Sequence, residues 1–123
     1  MSGIDFLMDT NIFVYVLEGN PAVKGIMQCS AAASVVTEME LLGRKDLSSR
    51  EENFIRDLLQ DCEIFPLTDT IKNETIKLKQ HYSMKLPDAI IAATAKIHNL
   101  LLITADKDFK KLDGYVNILI LDI

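Results

Sequence analysis

Near its start the chain reads Ile4-Asp5-Phe6-Leu7-Met8-Asp9-Thr10-Asn11, a short and mostly apolar run followed directly by three polar residues. The apolar residues that come next recur at helical spacing as far as Gly19-Asn20-Pro21, which ends the pattern. This order predicts a strand, a polar turn and a helix. Asp9 would then lie at the carboxyl end of a strand, where parallel α/β sheets bind their ligands.

The same alternation continues along the rest of the chain. A run of strand length, Ala31 to Val36, leads into a short helix that begins at Thr37 and ends at Gly43. Further strands are predicted at residues 64–67, 100–103 and 116–121, further helices at residues 22–28, 48–59, 68–81 and 87–98, and a turn with a short helix at residues 104–112. Short apolar runs separated by helices favour a parallel sheet covered on both faces. We therefore predict an α/β fold, a single three-layer α/β/α domain over residues 1–123 with a central parallel sheet of about four to five strands.

The composition is that of one compact soluble domain. The chain has 123 residues, of which 49% are hydrophobic and 25% are charged, and its net charge is −5. This charge argues against the uniformly basic surface of many nucleic-acid-binding proteins, and two cysteines without CxxC spacing exclude a four-ligand zinc site. No apolar stretch reaches the roughly 20 residues of a membrane span. The first five residues lack the basic segment of a sorting signal, so we expect a cytoplasmic protein without membrane contact.

Four acidic residues stand at predicted junctions between strands and helices: Asp9, Glu40, Asp88 and Asp106. Each has a purely structural alternative. Asp9 is a good N-cap for the helix that follows it, and Glu40 completes a capping box with Thr37 as the N-cap. Asp88 stands in the first turn of a helix, and Asp106 fits a polar turn. All four are predicted to lie on the same edge of one sheet. This shared position favours a common functional site over four unrelated structural roles.

Carboxylates that a fold brings together repel one another, so they require a bound cation or raised pKa values. Mg²⁺ prefers oxygen ligands, and a set of acids without histidine or cysteine favours it over zinc. Such an ion activates phosphodiesters for hydrolysis, and two ions divide this task where both bind. His81 and His98 have no serine, cysteine or acidic partner at a spacing that indicates a triad, so we interpret them as structural.

Four segments carry a resemblance to a known family. They are Phe6-Leu7-Met8-Asp9-Thr10-Asn11, Ser34-Val35-Val36-Thr37-Glu38-Met39-Glu40-Leu41-Leu42-Gly43, Leu86-Pro87-Asp88-Ala89-Ile90-Ile91-Ala92-Ala93-Thr94-Ala95 and Leu101-Leu102-Ile103-Thr104-Ala105-Asp106-Lys107-Asp108-Phe109. In this order and spacing they resemble the PIN-domain nucleases and, among these, the VapC-like toxins of bacterial and archaeal toxin–antitoxin pairs. The resemblance covers almost the whole chain and implies a PIN-like fold.

The resemblance also implies a catalytic set. Asp9, Glu40, Asp88 and Asp106 would be the catalytic residues that hold one or two Mg²⁺ or Mn²⁺ ions. Glu40 is selected over Glu38 because the family's glutamate directly precedes a leucine and stands three residues before a glycine. Four neighbouring residues would orient the carboxylates or waters: Thr10, Asn11, Thr104 and Asp108.

The implied activity is that of a metal-dependent endoribonuclease in which activated water attacks an RNA phosphodiester, used as a toxin that inhibits translation. Transfer, ribosomal and messenger RNA are all open as substrates. The candidate contacts to the RNA backbone are basic residues near the acids: Arg44, Lys45, Lys85, Lys107 and Lys110. Related toxins form homodimers and are silenced by an antitoxin that lies across the acidic cleft, often bringing an arginine to the carboxylates. We therefore expect a homodimer and a small antitoxin partner.

Two alternatives stay open at the level of sequence. A non-catalytic PIN-like module would bind RNA or a protein and keep the acids as capping residues, and metal dependence distinguishes it from a nuclease. A Mg²⁺-dependent phosphatase of doubly wound architecture would use the aspartate after the first strand as a nucleophile. Asp9-Thr10-Asn11 lacks the second aspartate that such enzymes commonly carry two positions later, which disfavours this alternative.

Overall fold

The computed structural model describes residues 3–123, apart from the side chain of Met27. Met1 and Ser2, which belong to the segment analysed for a sorting signal, lie outside the described residues. Within residues 3–123, five strands form one parallel sheet: β1 (Phe6–Met8), β2 (Ala31–Ser34), β3 (Glu63–Phe65), β4 (Leu101–Thr104) and β5 (Ile118–Ile120). The helices are α1 (Thr10–Leu17), α2 (Val35–Leu42), α3 (Ser49–Gln60), α4 (Asp69–His81) and α5 (Leu86–Ile97). Short 3-10 helices cover Pro21–Val23, Ile26–Gln28 and Lys107–Leu112.

Two apolar cores cover the two faces of the sheet, because successive side chains of a strand point to opposite faces. Leu7 of β1 and Leu102 of β4 belong to the core beneath α4 and α5. Met8 and Ile103, the next residues along these strands, belong to the core beneath α1 and α3. The predicted three-layer α/β/α fold with a parallel sheet is therefore confirmed.

The strand order β3-β2-β1-β4-β5 determines where a ligand can bind. From β1 the chain first builds one side of the sheet, through β2 and β3, and then returns to build the other side, through β4 and β5. The order reverses between β1 and β4, whose carboxyl ends open a crevice in sheets of this kind. Asp9 follows β1 directly, and Asp106 follows β4 by two residues.

The start of α2 differs from the prediction. The strand predicted to reach Val36 ends at Ser34, and the helix begins at Val35 because the Ser34 hydroxyl accepts a hydrogen bond from the backbone N–H of Val36 at 3.1 Å. The capping box with Thr37 as its N-cap is therefore wrong. Thr37 lies inside α2 and is fully buried.

Other boundaries shift by a few residues. The helix predicted at residues 22–28 is replaced by two 3-10 helices that meet at Gly25, since glycine weakens a continuous helix. The third strand ends at Phe65 because Pro66 has no N–H to donate, and the last strand is confined to Ile118–Ile120. The capping box that opens α3 is confirmed by reciprocal hydrogen bonds between Ser48 and Glu51. Within residues 3–123, none of the helices combines the length and the apolar character needed to cross a membrane.

Candidate active site

Asp9 is the most buried acid at the carboxyl edge of the sheet, with 4% of its surface exposed. It caps α1 by accepting a hydrogen bond from the N–H of Thr10 on Oδ1, at 2.8 Å. Its Oδ2 accepts a hydrogen bond from the Thr104 hydroxyl at 2.7 Å. The pKa of Asp9 is raised to about 6. Burial is the largest cause and the charges of Asp88 and Asp106 add to it, while the two hydrogen bonds lower the pKa.

Thr104 and Asn11 join the end of β4 to the start of α1. The Thr104 hydroxyl accepts hydrogen bonds from the N–H of Asp106 at 3.0 Å and from Asn11 Nδ2 at 3.5 Å. Asn11 Oδ1 accepts a hydrogen bond from the N–H of Ala105 at 3.2 Å. Through these contacts Thr104, 95 residues away from Asp9 in sequence, orients both Asp9 and the turn that carries Asp106.

Glu40 lies on the exposed side of α2 and is held by a hydroxyl group of α1. The Thr10 hydroxyl donates a hydrogen bond to Glu40 Oε1 at 2.6 Å, and it lies 2.9 Å from the Thr37 hydroxyl. Thr37 was not among the residues predicted for the site. The signal was its position three residues before Glu40, which places both on one face of the helix.

Glu38 takes no part in this arrangement. It is half-buried in a surface cavity lined by residues of α2 and α3 that include Leu42 and Arg56. The side chains of Glu38 and Glu40 therefore lie in different surroundings although only two residues separate them.

Asp88 and Asp106 complete the acidic edge. Asp88 lies half-buried in the first turn of α5, and its pKa is raised by burial and then by the charges of Asp106 and Glu40, with Lys85 opposing the rise. Asp106 caps the last 3-10 helix by accepting a hydrogen bond from the N–H of Asp108 at 2.9 Å. The fold thus places Asp88 within electrostatic range of the other three predicted acids.

The family model of the PIN domain matches residues 6–115. The chain belongs to the PIN domain family. Similar solved structures include a toxin–antitoxin complex from Klebsiella pneumoniae, one chain of which is 34% identical with a TM-score of 0.80, the match covering 94% of this chain and 96% of that one. A VapBC-5 chain from Mycobacterium tuberculosis is 25% identical with a TM-score of 0.67, and the match covers 97% and 98% of the two chains.

A further similar structure is FitAcB from Neisseria gonorrhoeae, with 25% identity, a TM-score of 0.73 and coverage of 93% of this chain and 96% of that chain. The comparison with curated proteins gives no match. The resemblance to VapC-like PIN-domain toxins is thereby confirmed at the level of family and fold.

The acids of this PIN domain fit a divalent cation by their chemistry and by their unbalanced charge. Among residues 3–123 the ion pairs join Arg56 to Glu52, Lys72 to Asp69 and Lys111 to Asp108, and none includes Asp9, Glu40, Asp88 or Asp106. The four acids and their hydroxyl neighbours offer only oxygen ligands, which Mg²⁺ and Mn²⁺ prefer. In the described residues no three acidic, histidine or cysteine side chains already converge on one point. A cation would therefore have to draw the carboxylates together.

The basic residues expected to contact RNA are all exposed in the PIN domain: Arg44, Lys45, Lys85, Lys107 and Lys110. Lys85 is the N-cap residue of α5, three residues before Asp88, and Lys107 and Lys110 lie in the 3-10 helix after Asp106. Arg44 lines a surface cavity of about 300 Å³ between α1 and α3. Their contact with RNA remains a prediction.

The two histidines lie outside the acidic edge. His98 follows α5 and stacks on Phe65, with ring centroids 3.8 Å apart. His81 ends α4, and its Nδ1 lies 2.8 Å from the backbone carbonyl of Lys77. These contacts agree with structural roles.

Proposed function

We propose that this PIN domain is a metal-dependent endoribonuclease that hydrolyses RNA phosphodiester bonds and is the toxin of a VapBC-type toxin–antitoxin pair, inhibiting translation. One observation supports the activity above the others. At the switch point of a parallel sheet, the charges of Asp88 and Asp106 raise the pKa of Asp9, and those of Asp106 and Glu40 raise the pKa of Asp88. None of the four acids is paired with a basic residue within residues 3–123.

Asp9, Glu40, Asp88 and Asp106 would hold one or two Mg²⁺ or Mn²⁺ ions. When bound, such ions supply Lewis-acid activation of the phosphodiester and of the attacking water. The chain itself fixes the carboxylates beforehand, because Thr10 donates to Glu40 and Thr104 donates to Asp9. An ionised carboxylate offers about four lone-pair positions, so these hydrogen bonds leave oxygen lone pairs free for a cation.

The substrate in this proposal is RNA from the transfer, ribosomal or messenger pool. Its backbone would be engaged by the exposed basic residues that flank the acids on the chain. Lys85 precedes Asp88 by three residues, and Lys107 follows Asp106 directly. Because the chain as a whole carries a charge of −5, we expect these contacts to be confined to the rim of the acidic edge.

The proposal includes a cognate antitoxin, a homodimer and a cytoplasmic location. The similar chains at 25% identity or above include one from a toxin–antitoxin complex and one from the VapBC family of toxin–antitoxin systems. An antitoxin arginine placed against the unpaired carboxylates would neutralise their charge and block the site. Co-expression with the product of a small neighbouring reading frame should yield a stable complex without nuclease activity, and isolation of a lone, freely active monomer would contradict this part of the proposal.

The decisive experiment is cleavage of a total RNA pool by the purified protein with Mg²⁺, with Mn²⁺ and with EDTA. Glu40→Gln is compared with Glu38→Gln, since both remove one negative charge from α2 and only Glu40 contacts Thr10. We expect cleavage that requires the cation, is lost in Glu40→Gln and persists in Glu38→Gln. Folded protein that neither cleaves RNA nor responds to either cation would favour the binding module in which the acids serve as caps.

A further inference from the structure

Lys111 lies in the 3-10 helix that follows Asp106, and its ammonium group joins this helix to the connection between α4 and α5. Nζ donates a hydrogen bond to the backbone carbonyl of Ser83 at 2.5 Å, and it lies 3.3 Å from Asp108 Oδ2. Ser83 is 28 residues away in sequence. The Lys111 side chain is only 31% exposed, although it belongs to a surface helix.

The connection between α4 and α5 leads directly into the helix that carries Asp88. Residues 82–85 connect α4 to α5, and the N-cap residue, Lys85, makes no side-chain capping hydrogen bond. Two consecutive carbonyl groups of this connection accept hydrogen bonds from lysines: Lys111 donates to Ser83, and Lys79 of α4 donates to Met84. Hydrogen bonds from an ammonium group are stronger than neutral ones, so the two lysines hold this connection in place. Asp88 lies in the helical turn that begins here.

The 3-10 helix that contains Lys111 is capped by Asp106. Lys111 pairs with Asp108, and the N–H of Asp108 donates to Asp106 Oδ1 at 2.9 Å. The side chain of Lys111 is therefore linked through Asp108 to Asp106, and through Ser83 to the segment that precedes Asp88. The charges of Asp88 and Asp106 both contribute to the raised pKa of Asp9, and the charge of Asp106 contributes to that of Asp88. Repulsion between Asp88 and Asp106 favours separation of the two segments that carry them.

We propose that Lys111 is a positioning residue that ties the loop before Asp88 to the turn of Asp106 and thereby sets the affinity of the site for its divalent cation. This inference rests on the proposed metal-dependent function. Lys111 touches neither cation nor RNA in this role. The sign of its effect is diagnostic, because a lysine that acted through its charge alone would repel a cation, and its removal would tighten binding. If Lys111 instead holds the two segments together, its removal weakens cation binding.

The test measures the Mn²⁺ concentration that gives half of the maximal thermal stabilisation of EDTA-treated protein. In Lys111→Met we expect this concentration to rise about tenfold, as is typical when an outer partner of a metal site is lost. Lys111→Arg keeps a donor and a charge, so it should recover most of the affinity. Lys110→Met removes a neighbouring charge whose side chain has no hydrogen bond or ion pair with residues 3–123, and it should stay within about twofold of wild type.

A second measurement needs no cation. Hydrogen exchange of the metal-free protein should be faster over residues 83–92 in Lys111→Met than in Lys110→Met, because the connection before α5 loses a tie. RNA cleavage at saturating Mn²⁺ should approach the wild-type rate in Lys111→Met. If the variant needs the same or less Mn²⁺ than a responsive wild type, or if its exchange is unchanged, the role of Lys111 is refuted alone. If wild type shows no response to Mn²⁺, the proposed function is refuted together with this inference.

Discussion

Replacement of Asp9 by asparagine should stabilise the metal-free protein at pH 8 and not at pH 4. The pKa of Asp9 is raised from 3.8 to about 6, chiefly by burial. Between these values the unfolded chain releases the proton while the folded chain keeps it, so the free energy of unfolding decreases as the pH rises. The full difference corresponds to about 3 kcal/mol above pH 6. This penalty is absent in the uncharged asparagine.

The substitution also has a cost. The side-chain amide can still accept from the N–H of Thr10, but it offers an NH₂ group where Asp9 Oδ2 now accepts from Thr104, and one mismatched hydrogen bond costs about 1 kcal/mol. The net expectation at pH 8 is a gain of about 2 kcal/mol, or about 8 °C in melting temperature for a domain of this size. At pH 4 most of the penalty is absent, so the variant should be no more stable than wild type.

Urea unfolding in EDTA measures the free energy of unfolding of Asp9→Asn and of wild type at pH 4 and at pH 8. Asp57→Asn is the control because it neutralises an exposed carboxylate of α3. The control should change the free energy of unfolding by less than about 0.5 kcal/mol at either pH. Addition of Mg²⁺ or Mn²⁺ at pH 8 should then stabilise wild type and leave Asp9→Asn unaffected. An Asp9→Asn variant that is less stable than wild type by the same amount at both pH values would refute the argument.

Three further predictions concern single side chains. Thr37→Val removes a buried hydroxyl beside Thr10 and should lower the free energy of unfolding by about 1 kcal/mol in urea titration. Thr37→Ser keeps the hydroxyl and should retain most of this contribution to stability. Ser48→Ala removes the capping box of α3 and should cost about 1 kcal/mol in the same assay; no loss would mean that the cap contributes nothing. Burial raises the pKa of the Cys62 thiol to about 11, while Cys29 is exposed, so iodoacetamide at pH 8 should label Cys29 at least about tenfold faster by mass spectrometry. Equal labelling would contradict the burial of Cys62.

Much of the fold could be predicted because its signals are local. The apolar runs that became β1 and β4, and the polar residues directly after them, depend only on neighbours in sequence. The start of α2 was misplaced for the same reason. Ser34 and Thr37 are both good capping residues, and the strand had to end where its pairing with β1 and β3 ends, which no local pattern reveals.

The sequence by itself determined the alternation of strands and helices, the family, and the choice of the four acids that we propose as the site. Only the tertiary structure decided that Thr104 donates to Asp9 across 95 residues, that Thr37 reaches Thr10, and that Lys111 ties Ser83 to Asp108. The physical reason is that hydrophobic periodicity depends on residues a few positions apart, whereas these contacts depend on strand order and on how two layers of helices pack against the sheet.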